Sequence, residues 1–304
     1  MDLQPEVRSL EPGARRPEPG ARSLEGANIR RMRRRTVGVL TVLVVLAFGA
    51  GTGYAQRIFA GFYGTTPPRF PTDQSFQGTF TFCRVMFSSN RREKRGWDTD
   101  FPGADINFSI RLAELTRTRV ARQPTGMDPE YVTVRLTDAA LFECPYALME
   151  DAGTIILSEA EVLKFREYLL KGGFVFVSDY WGELAREQFD EEIGRVLPRS
   201  TYPVVDLSLD HPIWSTQFQL KDVPQMPSIQ SWRRGGGNTD RGVTDPPAAR
   251  AIADSHGRLM VMMIHNSDIP DGWEREGEDP EYFYRFSPDA YSVGINVLLY
   301  AMTH

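Results

Sequence analysis

The stretch from Ser158 to Val177 constrains the fold more than any other part of this chain. Ser158-Glu159-Ala160-Glu161 has the spacing of a capping box, in which the serine hydroxyl and the second glutamate can each satisfy a free backbone N–H at a helix start. Val162, Phe165 and Leu169 then share one helical face, and Gly172-Gly173 after Lys171 supplies a left-handed stop. Phe174-Val175-Phe176-Val177 follows at once as an unbroken apolar strand. Such a strand directly after an amphipathic helix is buried on both faces, which is how parallel sheets with helices on either side read.

The rest of the chain repeats that alternation. Thr79 to Phe87 has strand length, Asp105 to Leu115 carries an apolar helical face, and Val132 to Leu136 returns to a β pattern. Ala139 to Leu148 is another apolar run, Leu184 to Leu197 a further helix, and Tyr202 to Leu207 a possible strand. Asp222 to Pro247 is an irregular excursion rich in Pro, Gly and Arg, and Ala249 to Ile264 reads as two strands about Ser255-His256-Gly257. The final helix is expected to start at Ser287-Pro288 and to be buried, being apolar almost all round. Together these predict one three-layer α/β/α domain over residues 79–304 with a mainly parallel sheet, preceded by one N-terminal hydrophobic helix.

That helix falls in a segment with its own logic. Thr36 to Gln56 has no charge, and the apolar run Val37–Ala50 is preceded by Arg30, Arg31, Arg33, Arg34 and Arg35. A basic prologue, an apolar stretch and a small-x-small ending at Ala55 have the form of a signal peptide, with an uncleaved membrane anchor as the other reading of residues 32–55. Either one exports the domain, leaving it periplasmic or anchored to the cytoplasmic membrane with the α/β part outside. Residues 1–31, rich in Pro, Gly, Arg and Glu, cannot form a core, and Met32 is an alternative start to Met1. Residues 56–78 contain Pro67-Pro68-Arg69-Phe70-Pro71 and read as a Pro/Gly-rich tether.

Charge narrows the partners. The first 35 residues hold nine arginines and five acids, which leaves 26 basic and 35 acidic residues in the remainder. A domain that acidic lacks the basic footprint of a nucleic-acid binder. Two cysteines, Cys83 and Cys144, exclude a disulfide-dense scaffold and a cysteine-rich metal cluster.

Four ordered segments carry a resemblance. They are Trp97-Asp98-Thr99-Asp100-Phe101-Pro102-Gly103-Ala104-Asp105-Ile106-Asn107, Gly172 to Gly182, Asp210-His211-Pro212-Ile213, and Gly294-Ile295-Asn296 onward to His304. From about Phe80 to His304 the chain resembles the domain of unknown function 4159 family, placed with the class I glutamine-amidotransferase-like folds. Its helix-Gly-Gly-strand unit and His-Pro-Ile turn also look like the ThuA-like relatives. The resemblance implies a flavodoxin-like sheet and a cell-envelope protein, with MoxR-type ATPases and von Willebrand A-domain proteins as possible partners in a complex. It brings no established reaction.

A glutaminase needs a cysteine on a tight strand-to-helix elbow. After its best strand this chain has Ser178-Asp179-Tyr180-Trp181-Gly182, without Cys and without G-x-S-x-G. The expectation is therefore a non-glutaminase domain acting as a ligand-binding or assembly component. Its alternative is a carbohydrate-directed or metal-assisted hydrolase using Asp179, His265 and Asp268.

Ligands of open α/β sheets sit beyond the carboxyl ends of strands. That rule gathers a candidate crevice from Trp97, Asp98, Asp100, Asp105 and Asn107 after one strand, Asp179 and Trp181 after a second, and His265, Asn266 and Asp268 after a third. The set could bind a sugar or a hard cation; equally, the Asp and Asn side chains could cap the helices that follow. No spacing names a metal site or a cofactor. Arg84, alone on an apolar strand, is expected to reach a carboxylate at the sheet edge. In a flavodoxin-like order Cys83 and Cys144 fall on neighbouring strands, where they form either a disulfide or two buried thiols.

Overall fold

The computed structural model describes residues 66–304 except 91–95, 125, 127 and 236. The signal or anchor segment, its hydrophobic helix and the two possible starts lie outside the described residues. Among those described, no helix is long and apolar enough to cross a membrane.

The centre is a seven-stranded sheet. Its strands are β1 (Phe82–Met86), β3 (Tyr131–Arg135), β4 (Tyr146–Glu150), β6 (Phe174–Tyr180), β7 (Val205–Asp206), β8 (Ala248–Ala253) and β9 (Leu259–His265), in the order β3-β1-β4-β6-β9-β8-β7. Neighbours from β3 to β9 run parallel, whereas β8 and β7 close one edge in antiparallel fashion. A separate two-stranded pair joins β2 (Ser88–Ser89) to β5 (Ile155–Ile156). Counted along the chain, the five parallel strands follow the order 2-1-3-4-5, and the direction of winding reverses between β1 and β4.

Alternation along each strand divides the core into two. Phe82, Leu148, Phe174, Phe176 and Met262 point to one face, under the helices α1 (Gly103–Leu115), α5 (Asp271–Glu274) and α6 (Pro280–Thr303). Cys83, Val85, Met149, Val175 and Val177 point to the other, under α2 (Glu159–Leu170) and α3 (Glu183–Val196). Burial on both faces is why β6 and β9 are apolar without a break through most of their length.

The Ser158 capping box is present as its spacing requires, and Gly172 takes φ +109 at the end of α2. Gly173 has a different role: a Cβ there would lie 2.3 Å from the Tyr168 ring. That ring is held over the strand start by hydrogen bonds from its hydroxyl to Cys144 O (2.7 Å) and Phe174 O (3.1 Å).

Some expectations differ from the structure. The final helix starts at Pro280, not at Ser287-Pro288, because Asp279 accepts hydrogen bonds from Glu281 N and Tyr282 N and so caps it one segment earlier. Pro288 lies inside the helix on its exposed side, where the carbonyl it leaves unpaired can meet water. The strand expected over Tyr202–Leu207 contracts to Val205–Asp206 at the sheet edge. The excursion from Asp222 to Pro247 contains a short helix, α4 (Ile229–Gly235). Within the stretch read as a tether, Arg69 pairs with Glu130 at 2.6 Å and its carbonyl accepts from Thr133 N at 2.8 Å, so residues 66–78 are fastened to the domain.

Cys83 on β1 is bonded to Cys144, which ends the turn just before β4 rather than standing on a strand; their Cα atoms are 6.1 Å apart. No free cysteine remains among the described residues.

Candidate functional site

Charged groups converge where the winding reverses. Arg84, midway along β1 and fully buried, reaches across the switch point to the next strand. Its guanidinium donates to Asp105 on α1 (Nε to Oδ1, 3.0 Å), to Glu150 at the end of β4, and to the carbonyls of Trp97 (3.1 Å) and Thr99 (2.8 Å). Asp105 and Glu150 are themselves fully buried. One arginine thus ties the loop after β1 and the helix it leads into to the carboxyl end of β4, an arrangement that only a fully paired buried charge can sustain.

A second arginine does the same one strand further on. Arg241, from the excursion, donates to Asp151 Oδ1 at 2.8 Å and to both oxygens of Asp179, at 3.0 and 2.8 Å. The Trp181 indole N–H adds a hydrogen bond to Asp179 Oδ1 at 3.1 Å. Asp100, Asp151, Asp179, Arg241 and Asn266 all take positive φ, between +47° and +59°. Five non-glycine residues in the left-handed region at one end of a sheet mark a place where side-chain direction outweighs backbone comfort.

The electrostatics follow from crowding. Burial, and then the charges of Asp271, Glu274 and Asp179, hold the Asp100 carboxyl well above its usual range. Asp268 is raised in the same way, by burial and then by Asp179 and Asp100. Asp179 is pushed up to about 7 by burial, against the pull of Arg241. Asp271 also rises to about 7 through burial, although Ile229 N and the Tyr282 hydroxyl donate to it at 2.7 and 3.0 Å.

The residues anticipated from sequence divide into two groups. Asp100, Asp179 and Asp268 come together in this acidic end, Asp105 joins through Arg84, and Trp97 and Trp181 pack beside it. Asp98 sits in the same loop, its carbonyl accepting from Phe101 N.

The others hold the frame. Asn107 donates to the Trp273 and Glu274 carbonyls, and so fastens α1 to α5. Asn266 accepts from Gly182 N at the start of α3 and donates to Pro246 O. His265 meets Gly182 O at 2.9 Å and lies against the Tyr180 ring. Among the described residues, no hydrogen bond joins His265 to Asp179 or Asp268.

Sequence reasoning missed Glu150, Asp151, Arg241, Asp271 and Glu274. Glu150-Asp151 carried a usable signal, being an acidic pair at the carboxyl end of an apolar run. Arg241 carried none, because its loop reaches this end only through the tertiary fold.

Beside the acidic end lies a cavity of about 460 Å3, lined by Asn90, Thr154, Trp181, Leu184, Gln188 and Glu191 among others. It opens beyond the ends of β4 and β6 and against the first turns of α3. A cavity of about 530 Å3 lies along α3 itself, among Arg186, Asp190 and Arg199, away from the strand ends.

With this geometry in place, comparison decides the family: residues 81–302 match the family model described as Domain of unknown function (DUF4159). The chain belongs to that family. The matched span runs from β1 almost to the end of α6, so the DUF4159 domain is the whole sheet with both helical layers. No curated protein matches the sequence.

Proposed function

We propose that this DUF4159 protein is an exported cell-envelope component whose α/β domain binds a saccharide at the carboxyl edge of its sheet. The observation that carries the reading is the cavity beside the acidic switch point. It combines the Trp181 indole and Leu184 with the amides of Asn90 and Gln188 and the Glu191 carboxylate, the mixture of apolar surface and convergent polar groups that a sugar ring requires. The 2-1-3-4-5 strand order fits a flavodoxin-like, amidotransferase-like domain. Both cysteines are consumed by one disulfide, which leaves no thiol for glutaminase chemistry and suits an oxidising compartment. In this reading the N-terminal segment delivers the domain across the membrane, where it serves an envelope complex of the kind the resemblance implies, with MoxR-type ATPases and von Willebrand A-domain proteins as partners.

Saturation-transfer NMR of the full chain with soluble hexose and N-acetylhexosamine oligosaccharides tests the binding. Transfer is expected in the native protein and lost in Leu184→Arg, whose exposed position lets the variant fold while its side chain fills the cavity. Absence of transfer from every sugar, or transfer unaffected by the substitution, overturns the reading. A C-terminal alkaline phosphatase fusion, active only outside the cytoplasm, tests export.

A further inference from the structure

We propose that Asp100, Glu150 and Asp268 form a binding site for a hard divalent cation. The site is separate from the saccharide cavity and stands whether or not that cavity binds sugar. The three carboxylates come from three places, the loop between β2 and α1, the end of β4 and the loop after β9, and one oxygen from each lies within 4.8 Å of the others. Oxygens that share one Ca2+ at about 2.4 Å are at most about 4.8 Å apart, a limit this set meets, and carboxylate oxygens are the donors such a cation takes.

A second observation points to a ligand. Glu150 is fully buried, and although its Oε2 accepts from Arg84, its Oε1 is buried without a hydrogen-bond partner. Asp100 Oδ2 is likewise buried, with the Glu274 carboxyl beside it. A buried carboxylate oxygen with no donor is costly, and a bound cation is one of the few groups that removes the cost.

The nearby arginines do not serve. Arg84 is engaged by Asp105, Glu150 and two carbonyls, and Arg241 by Asp151 and Asp179. Asp268 uses Oδ1 to accept the Asp271 N–H, an interaction that a metal-facing carboxylate can keep. In a neighbouring set, Asp100 with Asp271 and Glu274, Asp271 already accepts from Ile229 N and the Tyr282 hydroxyl, and Glu274 Oε2 forms an ion pair with Arg275. Glu150 instead keeps one buried oxygen clear of its arginine, which places the cation with Glu150.

The test uses the full chain, stripped of metal with a chelator and titrated calorimetrically with CaCl2, with Tb3+ luminescence excited through tryptophan as a second readout. One site is expected. Asp100→Asn and Asp268→Asn are each expected to weaken Ca2+ at least tenfold, while Asp254→Asn, on the β8–β9 turn, leaves it unchanged. Asparagine tolerates the positive φ of Asp100, so that variant keeps the loop geometry. Glu150→Gln serves as a third variant, read only where its circular dichroism matches the native protein. Absence of Ca2+ binding, or binding that survives both Asp100→Asn and Asp268→Asn, overturns the proposal. Neither result bears on Leu184→Arg and the sugar measurement.

Discussion

The guanidinium of Arg241 grips Asp179 by both carboxylate oxygens, at 3.0 and 2.8 Å, and Asp151 by one, at 2.8 Å. Both acids are almost completely buried, so the pair exists only because the excursion lays this arginine over the strand ends. Removing one member of such a set leaves uncompensated charge. Arg241→Ala is expected to destabilise the fold by about 3 kcal/mol, measured by urea denaturation at pH 8. Arg241→Lys should recover only part of the loss, because a compact ammonium lacks the planar fork that pairs both oxygens of Asp179 while reaching Asp151. A native-like midpoint for the alanine variant would show that the ion pair does not support the fold.

The disulfide closes a long loop, its cysteines standing 61 positions apart in the chain. Replacing Cys83 and Cys144 together by alanine frees that loop in the unfolded chain, at a cost of about 4 kcal/mol in the loop-entropy model. The urea midpoint should fall accordingly, and a reductant should lower that of the native protein while leaving the double variant unmoved.

Asn296, buried on α6, accepts hydrogen bonds from Gln217 N and Phe218 N at 2.8 and 2.9 Å, and donates to Phe218 O at 2.7 Å. It fixes the loop after His211-Pro212 to the last helix, which joins two of the sequence segments that carried the family resemblance. Asn296→Leu keeps the volume and removes all three bonds. A loss of about 2 kcal/mol is expected by thermal or urea unfolding, the partly exposed loop limiting the penalty.

Burial lowers the pKa of His265 below its ordinary value, and that of His211 likewise. The unfolded chain therefore takes up the proton first as pH falls. The contribution is complete above about pH 6.5 and is lost as pH drops through 6.5 toward the folded value. The raised carboxyls of Asp179 and Asp271 act in the opposite sense there, so His265→Gln should make stability fall more steeply with rising pH between about 5 and 7. An unchanged slope would mean that this histidine titrates alike in both states.

Much of the fold was legible because it rests on local chemistry. The Ser158 capping box, the Gly172 stop and the apolar run of β6 each act within a few residues, and so each is written in consecutive letters. The start of α6 was misread for a local reason as well. Ser287-Pro288 is a sound cap signal, but Asp279-Pro280 is an equally sound one, and burial of Tyr282 and Phe286 extends the helix back to it.

The candidate site was legible only in part. That strand ends would carry it followed from the α/β pattern, and Asp100, Asp179 and Asp268 were found on that ground. Arg84 could be expected to pair, since a lone cation on a buried strand must, but Asp105 and Glu150 could not be named as its partners from spacing.

The sequence by itself determined the elements, their two-sided burial and the end of the sheet where charge would gather, because periodicity, caps and turn residues are short-range. Only the tertiary structure decided which charges meet. Placing β4 beside β1, and folding residue 241 back over residues 151 and 179, depends on strand order and packing among residues far apart in the chain. Coulomb attraction and desolvation depend on distance in space, so the pairing that defines this acidic end appears only once the sheet is assembled.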